Sequence, residues 1–318
     1  MKGTFYTHID GLDKDVSRIF LGTGEIPKGI DPDKWLDGML EIGITSIDTA
    51  RVYPNSEKTI GKWLDRTGAR EKVVILSKCG HPMGPINRVS RKAMLSDLNK
   101  SLKELQTNYI DIYILHRDDP KVEVAEVIET FNEMQADGKI KIFGGSNWTH
   151  QRIEEAGEYA YKKGLNSFSV SSPNFGLAEQ VGPMWDGTCV TISGKDGESA
   201  RKWYISTQMP VIAYSSLGRG LFSGRLKSFD VANAAKYLDS FAMKGYACPE
   251  NFERLKRCEV LAASRHVSVS QIAMSWIFHQ NMNMFAVVST SSKERMQQNI
   301  DAFGIELTQE ECEWLMLN

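Results

Sequence analysis

The chain has 318 residues, 42% hydrophobic and 25% charged, proportions of an ordinary globular protein with little room for long disordered tails. A formal charge of −2 gives no reason to expect nucleic acid or an anionic membrane as partner. No run approaches the roughly 18 consecutive apolar residues of a membrane span, residues 1–15 lack the apolar core of a signal peptide, and the five scattered cysteines, never spaced CxxC, suggest free thiols of a reducing cytosol rather than zinc ligands.

Taken in chain order, short apolar, β-branched runs alternate with longer amphipathic ones. A strand over 18–21 precedes a helix over 32–41; strand 46–49 precedes helix 57–64, and strand 73–78 precedes helix 91–105. The alternation continues with strand 110–116 and helix 122–136, strand 140–146 and helix 153–163, strand 168–172 and helix 200–208. Strand 211–215 is followed by helices over 250–264 and 270–279, and strand 285–289 by helices over 293–302 and 309–315, the last with Thr308 as its N-cap.

Eight strands separated by helices, with no change of composition midway, predict a parallel α/β architecture forming one domain over 1–318. A doubly wound sheet would announce a dinucleotide site by GxGxxG after its first strand. Here that strand runs into Leu21-Gly22-Thr23-Gly24-Glu25 with no such motif, so a (β/α)8 TIM barrel is expected. The irregular stretch 176–198 follows the sixth strand and falls on the C-terminal face, where barrel active sites are built. Trp185 within it and Trp203 just beyond either wall a pocket or serve as structural tryptophans of a covering loop.

Four candidates for chemistry stand at or just beyond strand ends: Asp48, Tyr53, Lys78 and His116. Singly each has an ordinary explanation: a helix-capping Asp, a packing Tyr, a solvated Lys, a structural His. Adjacent strands of a parallel barrel would bring all four to one face, where they suit proton-coupled hydride transfer. A phenol is a weak acid, with a pKa of about 10; an ammonium beside Tyr53 would lower it. Asp48 would hold Lys78 charged, and His116 would orient a carbonyl oxygen. GxSxG, HExxH and GxxxxGK[ST] are all absent from the chain.

With those residues in place, the chain resembles the aldo-keto reductases. Asp-Thr-Ala-Arg-Val-Tyr-Pro-Asn-Ser-Glu-Lys-Thr-Ile-Gly over 48–61 is similar to that family's second-strand signature, and Lys78 and His116 fall where its catalytic tetrad requires them. The likeness continues through Gly-Gly-Ser-Asn-Trp over 144–148, Val-Ile-Ala-Tyr-Ser-Ser-Leu-Gly-Arg-Gly over 211–220 and Ser-Thr-Ser-Ser-Lys-Glu-Arg-Met-Gln-Gln-Asn over 289–299.

The resemblance implies an enzyme that reduces an aldehyde or ketone, or oxidises the matching alcohol, with Tyr53 as general acid/base; the lack of a signal peptide and the scattered cysteines make a soluble, cytoplasmic protein the expectation. Small carbonyl or alcohol substrates would be its partners, a monomer being the family's commoner form. It implies NADP(H) ahead of NAD(H), the cofactor lying extended across the barrel mouth; no metal is expected, because the cysteines are scattered and never spaced CxxC. Ser146 and Asn147 would hold the nicotinamide carboxamide, with Ser172 and the first-strand residues Gly22 and Thr23 nearby. Tyr214 would stack on the ring, and Ser215, Leu217 and Arg219 would pass the pyrophosphate. Ser289, Thr290, Ser291 and Arg295 would receive the 2′-phosphate, with Gln298 and Asn299 beside the adenine. The 289–299 segment also suits an anion on physical grounds, as hydroxyls and N–H groups at a helix start followed by an arginine, though an ordinary N-cap with a solvated Arg has the same pattern.

Three positions depart from the family pattern. Ser172 stands where many members carry Gln, Ser289 where NADP-selective members often carry Lys, and Pro54 where Gly is common. Substrate walls are expected from 176–198, from 79–83 and from Trp148. Two other readings compete: a cofactor-binding regulatory subunit like the family's potassium-channel β-subunits, and a cofactor-free barrel lyase or isomerase.

Overall fold

The computed structural model describes residues 4–185 and 189–317; positions 186–188 of the expected active-site loop lie outside the described residues. Among the described residues there are ten strands: β1 (Tyr6–Thr7), β2 (Val16–Ser17), β3 (Ile19–Gly22), β4 (Ser46–Asp48), β5 (Val74–Cys79), β6 (Ile110–Leu115), β7 (Ile140–Ser146), β8 (Val170–Ser172), β9 (Val211–Ala213) and β10 (Met284–Val288). β1 and β2 pair antiparallel, while β3 to β10 form a closed barrel in the order β10-β3-β4-β5-β6-β7-β8-β9. The fold is the (β/α)8 barrel that the alternation predicts.

Helices follow the strands: α1 (Pro32–Glu41), α2 (Ser56–Thr67), α3 (Arg91–Leu105), α4 (Val124–Ala136), α5 (His150–Lys163), α6 (Glu198–Thr207), α7 (Ser240–Tyr246), α8 (Pro249–Arg265), α9 (Val269–Phe278), α10 (Lys293–Asp301) and α11 (Gln309–Leu315). Their starts are written in capping chemistry. Asp31 accepts from Asp33 N with Pro32 at the first turn, Ser90 accepts from Ala93 N, Thr149 from Arg152 N, and both Ser268/Gln271 and Thr308/Glu311 form capping boxes. β5 and β6 are buried along their whole length, which explains why they read as nearly unbroken apolar runs rather than alternating ones.

Contacts group the chain into two units. The first, Tyr6–Ser172 with Ser289–Ser291, contains β1 to β8 and α1 to α5; Lys78 of β5 lies level with Ile114 of β6, and Asp48 of β4 level with Leu76 of β5. The second, Met1–Phe5, Pro173–Val288 and Ser292–Asn318, contains β9, β10 and α6 to α11, with Phe285 level with Ile212.

Several expectations needed correction. α7 lies in a stretch for which no element was expected, and α4 starts at Val124 rather than at 122. β9 stops at Ala213 because the chain turns sharply: Ser215 and Arg219 are left-handed at φ 57° and 50°.

One contact of the first unit sets a clear test. Gly61 of α2 faces the end of α3 so closely that a Cβ would lie 2.1 Å from the Glu104 carbonyl oxygen. Helix propensity alone favours Gly61→Ala by about 1 kcal/mol. Overpacking against a backbone atom is expected to reverse that sign and destabilise by about 1–3 kcal/mol. A lowered urea midpoint for Gly61→Ala shows the reversal; a raised midpoint refutes the close approach.

Candidate active site

The site in the first unit is assembled where β4, β5 and β6 end. β4 and β5 stay paired beyond the strand through Thr49 N to Leu76 O (2.8 Å) and Arg51 N to Lys78 O (3.0 Å). The chain then folds back in a turn closed by Tyr53 N to Ala50 O (3.0 Å) and Ser56 N to Tyr53 O (3.3 Å), with Asn55 left-handed at φ 59°. Three hydroxyls lock this turn. Ser56, fully buried at the start of α2, hydrogen-bonds Thr23 Oγ1 (2.6 Å) and Thr49 Oγ1 (2.7 Å), and Thr23 also donates to the Asp48 carbonyl (2.7 Å). Thr23 and the adjoining Gly22 are buried, so the Thr23 hydroxyl serves this brace.

A second brace is ionic and was not anticipated. Glu57, 1% exposed, accepts from Ser77 Oγ (2.7 Å) and Arg51 Nη1 (2.7 Å), while Arg51 also forks onto Glu104 at 3.0 and 3.1 Å. The signature glutamate of 48–61 thereby ties the Tyr53 turn to the residue preceding Lys78. The sequence showed that glutamate, but Glu104, the other partner of Arg51, is 53 residues from it and carries no local signal.

Lys78 Nζ donates to Asp48 Oδ1 (2.5 Å) and to the Thr49 carbonyl (2.8 Å), and lies 5.0 Å from the Tyr53 ring centre. Burial disfavours the ammonium, yet Asp48 and Tyr53 outweigh it and raise the lysine pKa. Burial also leads at Asp48, which stands above the usual carboxylate value despite Lys78. At Tyr53 the expected direction is reversed. Burial raises the phenol above 10, Lys78 only partly offsets it, and Asp48 adds to the rise. Lys78 does pull the phenol down, as the sequence suggested, but burial outweighs it and Asp48 works against it.

His116 follows β6, with its N–H on the Cys79 carbonyl (2.8 Å). Its ring meets Tyr53 edge-on at 5.8 Å and His81 at 4.8 Å. Burial first, then Lys78, Arg117 and His81, hold its pKa well below 6.5, so the imidazole is neutral at physiological pH. Its buried Nδ1 has no hydrogen-bond partner. The structure thus gathers Asp48, Tyr53, Lys78 and His116 into one cluster with a weak phenolic acid, a charged lysine and an uncharged imidazole.

Next to His116, Ser146 Oγ donates to the Ser172 carbonyl (2.8 Å), and Asn147, left-handed at φ 60°, donates to Ser146 Oγ (3.1 Å) and to the His116 carbonyl (3.2 Å). Trp148 is no pocket wall: it is 1% exposed, edge-on to Phe168 at 4.9 Å and stacked on Gly145. Ser289, Thr290 and Ser291 belong to this unit, with the Thr290 carbonyl fixed by Trp35 Nε1 at 2.9 Å.

In the second unit, the part-buried Tyr214 lies 6.0 Å from Trp185, which also meets Phe241 at 6.2 Å. Trp203 instead packs on Tyr204 along α6. Ser215 and Leu217 begin the turn, and Arg219 closes it with Nη2 on Asp239 Oδ2 (2.8 Å) and its guanidinium 5.4 Å from the Phe241 ring. Asp239 is the N-cap of α7, so the missed helix anchors the turn. An aspartate before an amphipathic run was the available signal. On α10, capped by Ser292, Arg295 and Gln298 are exposed, whereas Asn299 is 3% exposed with an unpartnered Oδ1.

Among the described residues no group of three His, Cys, Asp or Glu side chains is placed to hold a metal, and no helix is long and apolar enough to cross a membrane.

Residues 18–315 match the aldo/keto reductase family. Aldo-keto reductase YhdN of Bacillus subtilis is 28% identical over 86% of this chain and 81% of its own length. Aldo-keto reductase str7 of Strobilurus tenacellus is 26% identical over 87% and 78%. The solved structure of a glycerol dehydrogenase from Gluconobacter oxydans covers 98% of this chain and 94% of its own with a TM-score of 0.76 at 22% identity, a likeness of fold. The chain belongs to the aldo/keto reductase family and is an oxidoreductase acting on carbonyls or alcohols.

Proposed function

We propose that this protein reduces an aldehyde or ketone with NADPH, and in reverse oxidises the alcohol, using Tyr53 as the proton donor and acceptor. The observation that carries the reading is the cluster itself: a phenol beside a lysine that is 4% exposed and ion-paired, with a neutral imidazole against its ring. A nicotinamide dinucleotide fits the remaining residues. Asn299 Oδ1 and Arg219 Nε are buried without partners, which suits an adenine amino group and a phosphate. When bound, the reduced nicotinamide supplies the hydride.

The chain's own residues supply the rest. Neutral His116 donates a hydrogen bond to the carbonyl oxygen and adds no competing positive charge. Tyr53 gives its proton to the same oxygen as negative charge develops there. Lys78, held by Asp48 and the Thr49 carbonyl, then stabilises the phenolate. Ser146 and Asn147 would orient the carboxamide, Ser172 would border it, and Tyr214 would carry the ring. Ser215, Leu217 and Arg219 would line the pyrophosphate, and Ser289, Thr290, Ser291, Arg295, Gln298 and Asn299 the adenosine end. Loss of tryptophan fluorescence on titration with NADPH and NADH, followed by a carbonyl panel, tests the reading; binding of neither nucleotide overturns it.

Arg295 sets the nucleotide preference. It is exposed one turn into α10, behind the Ser292 cap, where the helix dipole also favours an anion. Arg295→Ala is expected to weaken NADPH binding by about 10–100-fold, the worth of a charge-assisted contact, and NADH by no more than about twofold. Equal losses for both nucleotides would mean that the arginine does not meet the 2′-phosphate.

A further inference from the structure

The segment after β5 is built to hold one polar side chain against His116. Gly80 turns left-handed at φ 71° where a Cβ would lie 2.5 Å from a Leu115 methyl, and its N–H is fixed by Asp97 Oδ2 at 3.1 Å. Farther along, Asn87 Nδ2 is held by Asp119 at 2.6 Å, so both sides of the loop are anchored. Between these anchors stands His81, half-buried, its ring 4.8 Å from that of His116 at an interplanar angle of 74°. His116 in turn meets Tyr53 at 5.8 Å.

The proton state of His81 follows from its partner. Its Nδ1 lies 2.9 Å from the Pro82 carbonyl, and a carbonyl can only accept, so Nδ1 carries the hydrogen. Burial keeps the ring neutral, helped by Arg117 and opposed by the Pro82 contact. In a neutral imidazole with hydrogen on Nδ1, Nε2 is a bare acceptor.

We propose that His81 determines substrate specificity: its Nε2 accepts a hydrogen bond from a hydroxyl on the carbon next to the reacting carbonyl, so the enzyme favours α-hydroxy aldehydes and ketones over their unhydroxylated counterparts. The inference rests on the carbonyl-reductase reading above. A substrate whose carbonyl oxygen meets Tyr53 and His116 would bring its neighbouring carbon close to the His81 ring, which lies 4.8 Å from that of His116. A hydroxyl brings the donor that this acceptor lacks. A site built around one hydrogen bond discriminates chiefly against the analogue that leaves it unpaired.

The test is the ratio of kcat/KM for lactaldehyde to that for propanal, matched in carbon chain, in the full-length enzyme with its preferred nucleotide. The ratio is expected to exceed one in the wild type and to fall about tenfold in His81→Phe, which keeps a planar ring but has no acceptor. His81→Gln, whose Oε1 stands near the lost Nε2, is expected to recover part of the ratio. A ratio unmoved in His81→Phe, or both substrates falling in parallel, overturns the proposal, because a merely structural histidine affects the two alike. Wild-type turnover of propanal without preference for lactaldehyde also overturns it while leaving the reductase reading intact. Turnover of neither aldehyde, nor of any other carbonyl, removes the reading on which it rests.

Discussion

Tyr53→Phe is expected to lower carbonyl reduction by roughly 10²–10⁴-fold, the usual contribution of a positioned acid, while dinucleotide affinity changes by no more than about twofold. The substitution removes one oxygen and leaves the ring edge-on to His116. Single-turnover reduction under saturating nucleotide separates the two effects, and near-wild-type kcat would remove Tyr53 from the mechanism. The wild type should also show an asymmetric pH response. Burial holds the Tyr53 pKa above 10, so the protonated form needed for reduction persists across the neutral range and is lost only in strong alkali. Oxidation needs the phenolate, so kcat/KM for an alcohol should climb with pH while that for the carbonyl stays level. A reduction rate that already falls between pH 7 and 9 would contradict the sign of that shift.

The barrel was legible because its evidence is periodic. The β5 and β6 runs have the near-continuous apolar character of strands covered on both faces, and caps such as Ser90 and Thr308 mark helix starts within a few residues. Asp48, Lys78 and His116 could be placed because each stands within a residue of a strand end. What escaped notice depends on contacts distant in sequence. Arg51 and Glu104 form a brace that neither residue signals alone, and the rise in the Tyr53 pKa depends on how far the fold buries the phenol. His81 was identifiable only as part of a wall-forming segment; its distinction comes from the 4.8 Å approach to His116, 35 residues away in sequence. α7 escaped because it is only 7 residues long and takes its stability from what it holds: Arg219 at its cap and Asn174 on the Tyr246 hydroxyl at its end.

Lys78→Met carries the largest combined effect on stability and chemistry. The lysine is ion-paired to Asp48, and both side chains are about 5% exposed, so its removal leaves a carboxylate buried without its counter-charge. Breaking such a pair costs about 3–5 kcal/mol, more than the gain from a well-filled apolar replacement. The loss should depend on pH in a definite direction. Asp48 already has a raised pKa with Lys78 present, and losing the ammonium raises it further. A carboxyl whose folded pKa exceeds its unfolded value binds protons preferentially in the native state, so it favours folding in acid and costs stability as pH rises through that folded value. The deficit of Lys78→Met, read from urea midpoints, is therefore expected to be larger at pH 8 than at pH 5, and Asp48→Asn in the same chain should recover much of it. The chemistry should fail by the same electrostatics. Lys78 is the strongest influence opposing burial at Tyr53, and without it the phenolate needed for alcohol oxidation appears only at still higher pH. A Lys78→Met enzyme with an unshifted oxidation profile would show that the phenol does not depend on this ammonium. A deficit independent of pH would show that Asp48 does not remain buried as a charge.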